Sequence, residues 1–331
     1  MIPILRLPEV QFAIEAVRQT SLLTEAVQGE MKDEDALTKS DDSPVTVADL
    51  GAQAVIAAFL EKAFPNDILV GEEDAGVLRS SKGRLTLGRV VRYVQAILPQ
   101  ATAEGICDWI DRGKGEPGNR FWTVDPIDGT KGFLRKDQYA VALALLIDGK
   151  IEVGVLGCPV LREARYPEMG GPGSLVIAVR GKGSWTAPLK KGNSFSQLHV
   201  SDHASFHESI LVRPFDTSHT NLELIEKFQH LLGIETPPVL LDSLSKYAVL
   251  ASGGGDIYLR LLSPQKMNYK ECIWDQAPGS IILEEAGGKV TDLDGKPLDY
   301  TTGRRLLKNR GAVSSNGKLH AMALEVLRKL L

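Results

Sequence analysis

Apolar and polar positions along the chain fall into three rhythms. Between residues 7 and 27, Val10, Ala13, Ile14, Val17, Leu22 and Ala26 lie near helical spacing and predict an amphipathic helix. Residues 29–42 are polar and acidic and read as a mobile loop. An alanine-rich helix is expected from Asp49 to residue 63, a short strand over 68–70, and a further helix over 87–98. Residues 120–124 read as a strand rich in aromatic and β-branched side chains. Strands over 138–147 and 150–159 meet at Asp148-Gly149, a dipeptide suited to a tight hairpin. Residues 175–180 and 183–186 suggest a second hairpin.

Past residue 188 the rhythm changes. Strands over 210–212, 238–241 and 257–262, and one starting at Val290, alternate with helices over 221–232, 243–252 and 275–286. A last helix covers 320–331. Alternation over these lengths argues for an α/β layer. Two parts are therefore expected: an α+β part with an antiparallel sheet over 1–188, and an α/β part over 189–331.

Composition adds bounds rather than chemistry. Apolar residues make up 43% and charged residues 24% of the 331, the balance of a soluble protein with a real core. A net charge of −4 implies no basic surface for nucleic acid. Cys107, Cys158 and Cys272 share no metal-like spacing and suit a reducing compartment as buried apolar residues. The N-terminal residues lack the pattern of a cleavable leader, and the longest apolar run, 139–147, is too short to span a bilayer. A soluble, cytoplasmic monomer is the expectation, with no membrane or nucleic-acid partner.

Candidate chemistry centres on Asp125-Pro126-Ile127-Asp128-Gly129-Thr130 at the end of the strand over 120–124. Proline fixes φ, and glycine lets backbone N–H groups approach a ligand. Two carboxylates held this way suit Mg²⁺, which binds few protein oxygens and completes its shell with water and phosphate. The other reading is an ordinary acidic turn. An aspartyl-phosphate route needs acids two apart, and Pro126 occupies the position two before Asp128. Gly71-Glu72-Glu73-Asp74 puts three acids at a strand end, where burial would require a cation and exposure would not. Asp49 is either a carboxylate facing a shared site or a first-turn acid complementing a helix dipole. Gly113-Lys114-Gly115 lacks the spacing of a phosphate-binding P-loop.

Three segments, Gly71-Glu72-Glu73, Asp125 to Thr130, and Trp274-Asp275-Gln276-Ala277-Pro278-Gly279, together resemble the signatures of the inositol monophosphatase superfamily of Mg²⁺-dependent, Li⁺-sensitive phosphatases. Within it, Ser43 to Asp49, Asp128 to Arg135, Asp242 to Tyr247 and Asp256 to Arg260 resemble the branch acting on 3′(2′),5′-bisphosphate nucleotides. The resemblance implies a layered α-β-α-β-α sandwich of the inositol monophosphatase / fructose-1,6-bisphosphatase type. It puts Glu72, Asp125, Asp128, Asp275 and the Ile127 carbonyl around two or three Mg²⁺ ions. Asp49 and Thr130 would activate water, the Thr130 hydroxyl donating to Asp49 or, alternatively, bonding its own turn. Backbone N–H groups of Gly129 and Thr130 would hold the phosphate. The second phosphate and the base fall to Ser243, Lys246, Arg260 and His219. Arg260 has the alternative of a salt bridge to Asp256 or Glu271, and His219 that of an exposed loop residue. The implied reaction is hydrolysis of adenosine 3′,5′-bisphosphate to AMP, with its sulfated relative also plausible. An inositol (poly)phosphate 1-phosphatase and a slow nucleotide-sensing protein are the alternatives. Pro278 departs from the family's usual alanine, and Gly253-Gly254-Gly255 would loosen the nearby wall.

Overall fold

A computed structural model describes residues 2–30, 36–38, 44–190, 192, 194–215, 220–266 and 268–331. Helix α1 (Pro8–Glu30) opens on a proline, tolerated because a first-turn N–H has no helical partner. Within the stretch read as a mobile loop, β1 (Ala36–Thr38) pairs antiparallel with β2 (Pro44–Thr46). Most of that stretch, and Ser43, lie outside the described residues. α2 (Val47–Ala63) follows directly, so Asp49 sits in its first turn.

Next come β3 (Ile68–Gly71), α3 (Arg84–Ile97), α4 (Ala103–Asp111), β4 (Arg120–Asp128) and the short α5 (Thr130–Leu134). The sequence pattern does not announce α4, which is only nine residues long and begins at a Thr102 cap. The hairpin of β5 (Ala140–Ile147) and β6 (Lys150–Cys158) turns at Asp148 and Gly149, with φ of 50° and 74°. β7 (Leu161–Arg162) and β8 (Tyr166–Pro167) form a small side ribbon. β9 (Ser174–Val179), β10 (Ser184–Pro188) and β11 (Ser196–Leu198) complete the first sheet.

The remaining chain carries β12 (Leu211–Arg213), α6 (Leu222–Leu232), β13 (Val239–Leu240), α7 (Ser245–Ala251) and β14 (Ile257–Arg260). It ends with α8 (Ala277–Glu285), β15 (Lys289–Thr291), β16 (Ala312–Ser315) and α9 (His320–Leu330).

The large sheet runs β11-β10-β9-β6-β5-β4-β3, antiparallel except for the parallel β3–β4 pair. The smaller sheet runs β13-β12-β14-β16-β15; its first three strands are parallel, and β16 alone runs antiparallel, to both of its neighbours β14 and β15. The expected α/β layer is therefore a mixed sheet, because the chain returns through the long 292–311 loop as the antiparallel β16.

Side-chain alternation builds the layers. On β5, Val141, Leu143 and Leu145 face α1 and α2, whereas Ala140, Ala142, Ala144 and Leu146 face α7 and α8. Small residues on that second face let the middle helices ride close to the sheet. At Gly154 an added Cβ would stand 2.3 Å from Ile281 and 2.8 Å from the Pro278 carbonyl. Pro278 sits in the first turn of α8, where proline costs nothing. The far side of the smaller sheet packs Leu211, Ile257 and Val313 against Phe228 of α6 and Leu327 of α9. The result is five layers: helices, sheet, helices, sheet, helices.

Candidate active site

The parallel β3–β4 pairing brings two strand ends to one edge. Gly71 registers with Val124, so Glu72 and Asp125 follow side by side. In a regular strand, residues 125 and 128 would point to opposite faces. The β4–β5 register shifts between them: Asp125 pairs with Ala142 and Asp128 with Ala140. This bulge absorbs one residue at Pro126-Ile127, where proline has no N–H to lose. Both carboxylates therefore line one cavity of about 610 Å³, together with Glu72, Asp275, Thr130, Ser243, Lys246 and Arg260.

Gly129 has a φ of 88°, and an added Cβ there would stand 2.9 Å from Cβ of Ser243. Ser243 itself has a φ of 71°, unusual for a residue with a side chain. Its strained backbone lets the Leu244 N–H donate to the Asp128 carboxylate, which ties the β4 turn to the start of α7. Asp275 stands just before α8 and accepts from the Cys272 N–H at 3.2 Å.

The acids feel one another. Burial, then the charges of Glu72, Asp128, Asp275 and Asp49, push Asp125 well above the usual carboxylate range. Burial, then Glu271, Glu72 and Asp128, do the same to Asp275. Burial carries Asp128 up to about 6 against the pull of Lys246 and the Leu244 N–H. Asp49 is buried and adds to this field without lining the cavity. Oδ1 of Asp125 is buried with no hydrogen-bond partner. Such an atom costs about 1–3 kcal/mol if left so. Among the described residues, no three carboxylate, imidazole or thiol side chains close around a single point. The donor set nevertheless fits a hard divalent cation: it is all oxygen, mutually repelling, and holds a buried lone pair aimed at no donor.

Two cations line the same cavity. Lys246 Nζ donates to the Ser243 carbonyl at 2.6 Å and lies 5.2 Å from the centre of the Tyr258 ring. Burial lowers its pKa to about 8, opposed by Asp128 and Asp242. Arg260 donates through Nε to Glu271 at 2.9 Å. Glu271 also accepts from Gln276, and the Gln276 amide oxygen accepts from the Tyr247 hydroxyl. Asp256, the other partner considered for Arg260, accepts instead from Ser201, His203 and the Ile210 N–H. The Thr130 hydroxyl donates to the Ile127 carbonyl at 3.2 Å. His219 lies outside the described residues.

Sequence reasoning passed over Glu271 and Gln276 as site residues, and Asp242, which pairs with Arg135 at the cavity wall. All three lie in or beside quoted motifs, but nothing in a motif distinguishes a wall residue from a neighbour. Among the described residues, no helix is long and apolar enough to cross a membrane.

Five layers with acids gathered at the end of a parallel strand pair define a class, and the comparisons name it. The chain belongs to the inositol monophosphatase family, whose model matches residues 7–331. Enzymes of this family are generally metal-dependent. The chain is 43% identical over 325 residues to the 3′(2′),5′-bisphosphate nucleotidase of Schizosaccharomyces pombe, covering 93% of this chain and 91% of that protein. It is 39% identical over 346 residues to the 3′(2′),5′-bisphosphate nucleotidase of Emericella nidulans, covering 96% of each. Among solved structures, the Thermotoga maritima IMPase superposes with a TM-score of 0.67 over 98% of both chains at 22% identity, a likeness of fold.

Proposed function

We propose that this chain is a 3′(2′),5′-bisphosphate nucleotidase, a Mg²⁺-dependent phosphomonoesterase that converts adenosine 3′,5′-bisphosphate and water to AMP and phosphate, and accepts its sulfated relative. One observation carries the reading: a single cavity gathers four carboxylates, Glu72, Asp125, Asp128 and Asp275, together with two cations, Lys246 and Arg260. A substrate with two phosphates matches that combination, one phosphate for the metal-binding acids and one for the cations. The scissile phosphate faces the acids, and the remaining phosphate faces the cations. The close relatives carry the same name.

Glu72, Asp125, Asp128, Asp275 and the Ile127 carbonyl would hold two or three Mg²⁺ ions. Such ions supply a water of lowered pKa and charge for the departing 3′-oxygen. Asp49, kept from solvent in the first turn of α2, takes the proton of the attacking water. Thr130 relays it by turning its hydroxyl hydrogen from Ile127 towards Asp49. Water attacks phosphorus, the bond to the 3′-oxygen breaks, and that oxygen takes a proton from solvent to leave as the ribose hydroxyl, while Asp49 returns its proton to solvent. N–H groups of Gly129 and Thr130 hold the phosphate oxygens. Ser243, Lys246 and Arg260, with His219, take the second phosphate and the base. Arg260 keeps its two terminal nitrogens for this while Nε stays on Glu271. In this reading the division near residue 188 leaves Asp275 as the one acidic ligand supplied by the second part.

Phosphate release from a panel tests the proposal. Adenosine 3′,5′-bisphosphate with Mg²⁺ is expected to give a far higher kcat/KM than inositol 1-phosphate or AMP. A preference for inositol 1-phosphate, or no release from any phosphomonoester, overturns it.

A further inference from the structure

Glu72 and Asp275 reach the cavity from distant segments of the chain, and one side chain outside the cavity touches both segments. Arg304, in the long loop before β16, donates through one terminal nitrogen to the carbonyls of Gly113 at 3.1 Å and Gly115 at 2.9 Å. Its other terminal nitrogen donates to the Gly71 carbonyl. Its guanidinium lies over the Trp274 ring, 5.1 Å from the centroid. Gly71 precedes Glu72, and Trp274 precedes Asp275. Backbone pairing extends the junction: the Ile273 N–H donates to the Arg304 carbonyl at 3.1 Å, and Cys272 bridges antiparallel to Arg305.

The opposite flank of Glu72 is held as well. The buried Gln53 amide on α2 accepts from the Glu73 N–H at 3.0 Å and donates to its carbonyl at 2.7 Å. Glu72 thus has both neighbours fixed, one from α2 and one from Arg304. Of these two flanks, the Arg304 side reaches across to Trp274, the neighbour of Asp275.

We infer that Arg304 is a positioning residue that sets the relation between the Glu72 and Asp275 carboxylates, and with it the affinity of the cavity for divalent cations. This rests on the metal-dependent reading above. The three acceptors are neutral carbonyls, and Glu116, the carboxylate that acts on the guanidinium, does so without an ion pair to it among the described residues, so the fixed fork and flat face are what the junction uses. Lysine offers one ammonium and no face to stack, and cannot reproduce that geometry.

Binding of Mn²⁺ alone to the full chain, followed by the electron paramagnetic resonance signal of the free ion, reads the effect without substrate. Arg304→Lys is expected to weaken Mn²⁺ binding by about tenfold to a hundredfold, the range for residues that orient metal ligands. The metal concentration giving half-maximal activity is expected to rise by the same factor, with KM for the nucleotide at saturating metal unchanged. Wild-type Mn²⁺ affinity in Arg304→Lys overturns the inference. If that variant does not fold, as judged by melting in chelator, Trp274→Leu removes the stacked face instead. Wild-type affinity in a folded Trp274→Leu, or failure of both variants to fold, also overturns it. Wild-type protein that binds Mn²⁺ but hydrolyses no bisphosphate sinks the substrate reading and leaves the Arg304 comparison standing. Wild-type protein that binds no Mn²⁺ sinks both.

Discussion

Replacing Asp128 with asparagine should make the chelated protein more stable while spoiling its response to Mg²⁺. The asparagine oxygen can still accept from the Leu244 N–H, so the tie to α7 survives. What disappears is a carboxylate whose pKa is raised from 3.8 to about 6. For an acid shifted upward, the unfolded chain releases its proton first as pH rises. Folding is therefore penalised progressively between about pH 4 and pH 6, and fully above. The displacement corresponds to about 3 kcal/mol, trimmed to about 2 by solvent at the cavity mouth. Thermal unfolding in chelator is the assay. Asp128→Asn should melt several degrees above wild type near neutral pH and level with it near pH 4. With saturating Mg²⁺ the order should reverse, because wild type gains the binding free energy of the ion and the variant loses a ligand. A difference in chelator that does not change with pH, or a variant less stable at neutral pH, would refute the electrostatic account of this site.

Four further outcomes are expected. Asp49→Ala should lower kcat by at least about a hundredfold while retaining the Mg²⁺-dependent rise in melting temperature, because the residue moves a proton rather than holding the ion; normal turnover removes it from the mechanism. Lys246 carries its proton only below about pH 8, so kcat/KM for the bisphosphate should fall above that pH and the limb should vanish in Lys246→Met; an identical limb for a monophosphate counts against a role at the second phosphate. Arg260→Ala should raise KM for the bisphosphate more than for a monophosphate, and should cost about 3 kcal/mol of stability by stranding the buried Glu271; a parallel change for both substrates would place Arg260 in the scaffold alone. Gly154→Ala should destabilise by about 1–3 kcal/mol, because its methyl group would meet Ile281 and the Pro278 carbonyl, while leaving metal affinity alone; a neutral melting temperature would show that α8 can move away from the sheet.

Legibility in the sequence followed the strength of local signals. Helices α1 and α2 and the β5–β6 hairpin carry periodicity or turn chemistry of their own, and their extents agree with expectation to within a few residues. Short elements such as β7, β8 and β11 owe their existence to pairing partners, so no local pattern announces them. β16 was invisible for another reason: Ala-Val-Ser-Ser is a strand only because it fills the slot between β14 and β15. Within the site, the acids were readable because motifs hold them at fixed offsets. The β4 bulge that turns Asp125 and Asp128 into one cavity was not, since it is a property of register with β5. Likewise, Arg260 was legible as a charge in an apolar strand, but choosing Glu271 over Asp256 as its partner required knowing that Asp256 is engaged elsewhere.

The unequal faces of β5 also guard the assembly of the large sheet. Were this strand to slip by one residue against β4, valine and leucine would be driven into the narrow gap before α8, and alanines would leave holes beneath α1. Collision on one side and emptiness on the other would penalise the same error twice. A misaligned intermediate therefore has no comfortable packing to settle into, and side-chain bulk reinforces the strand register near the acids.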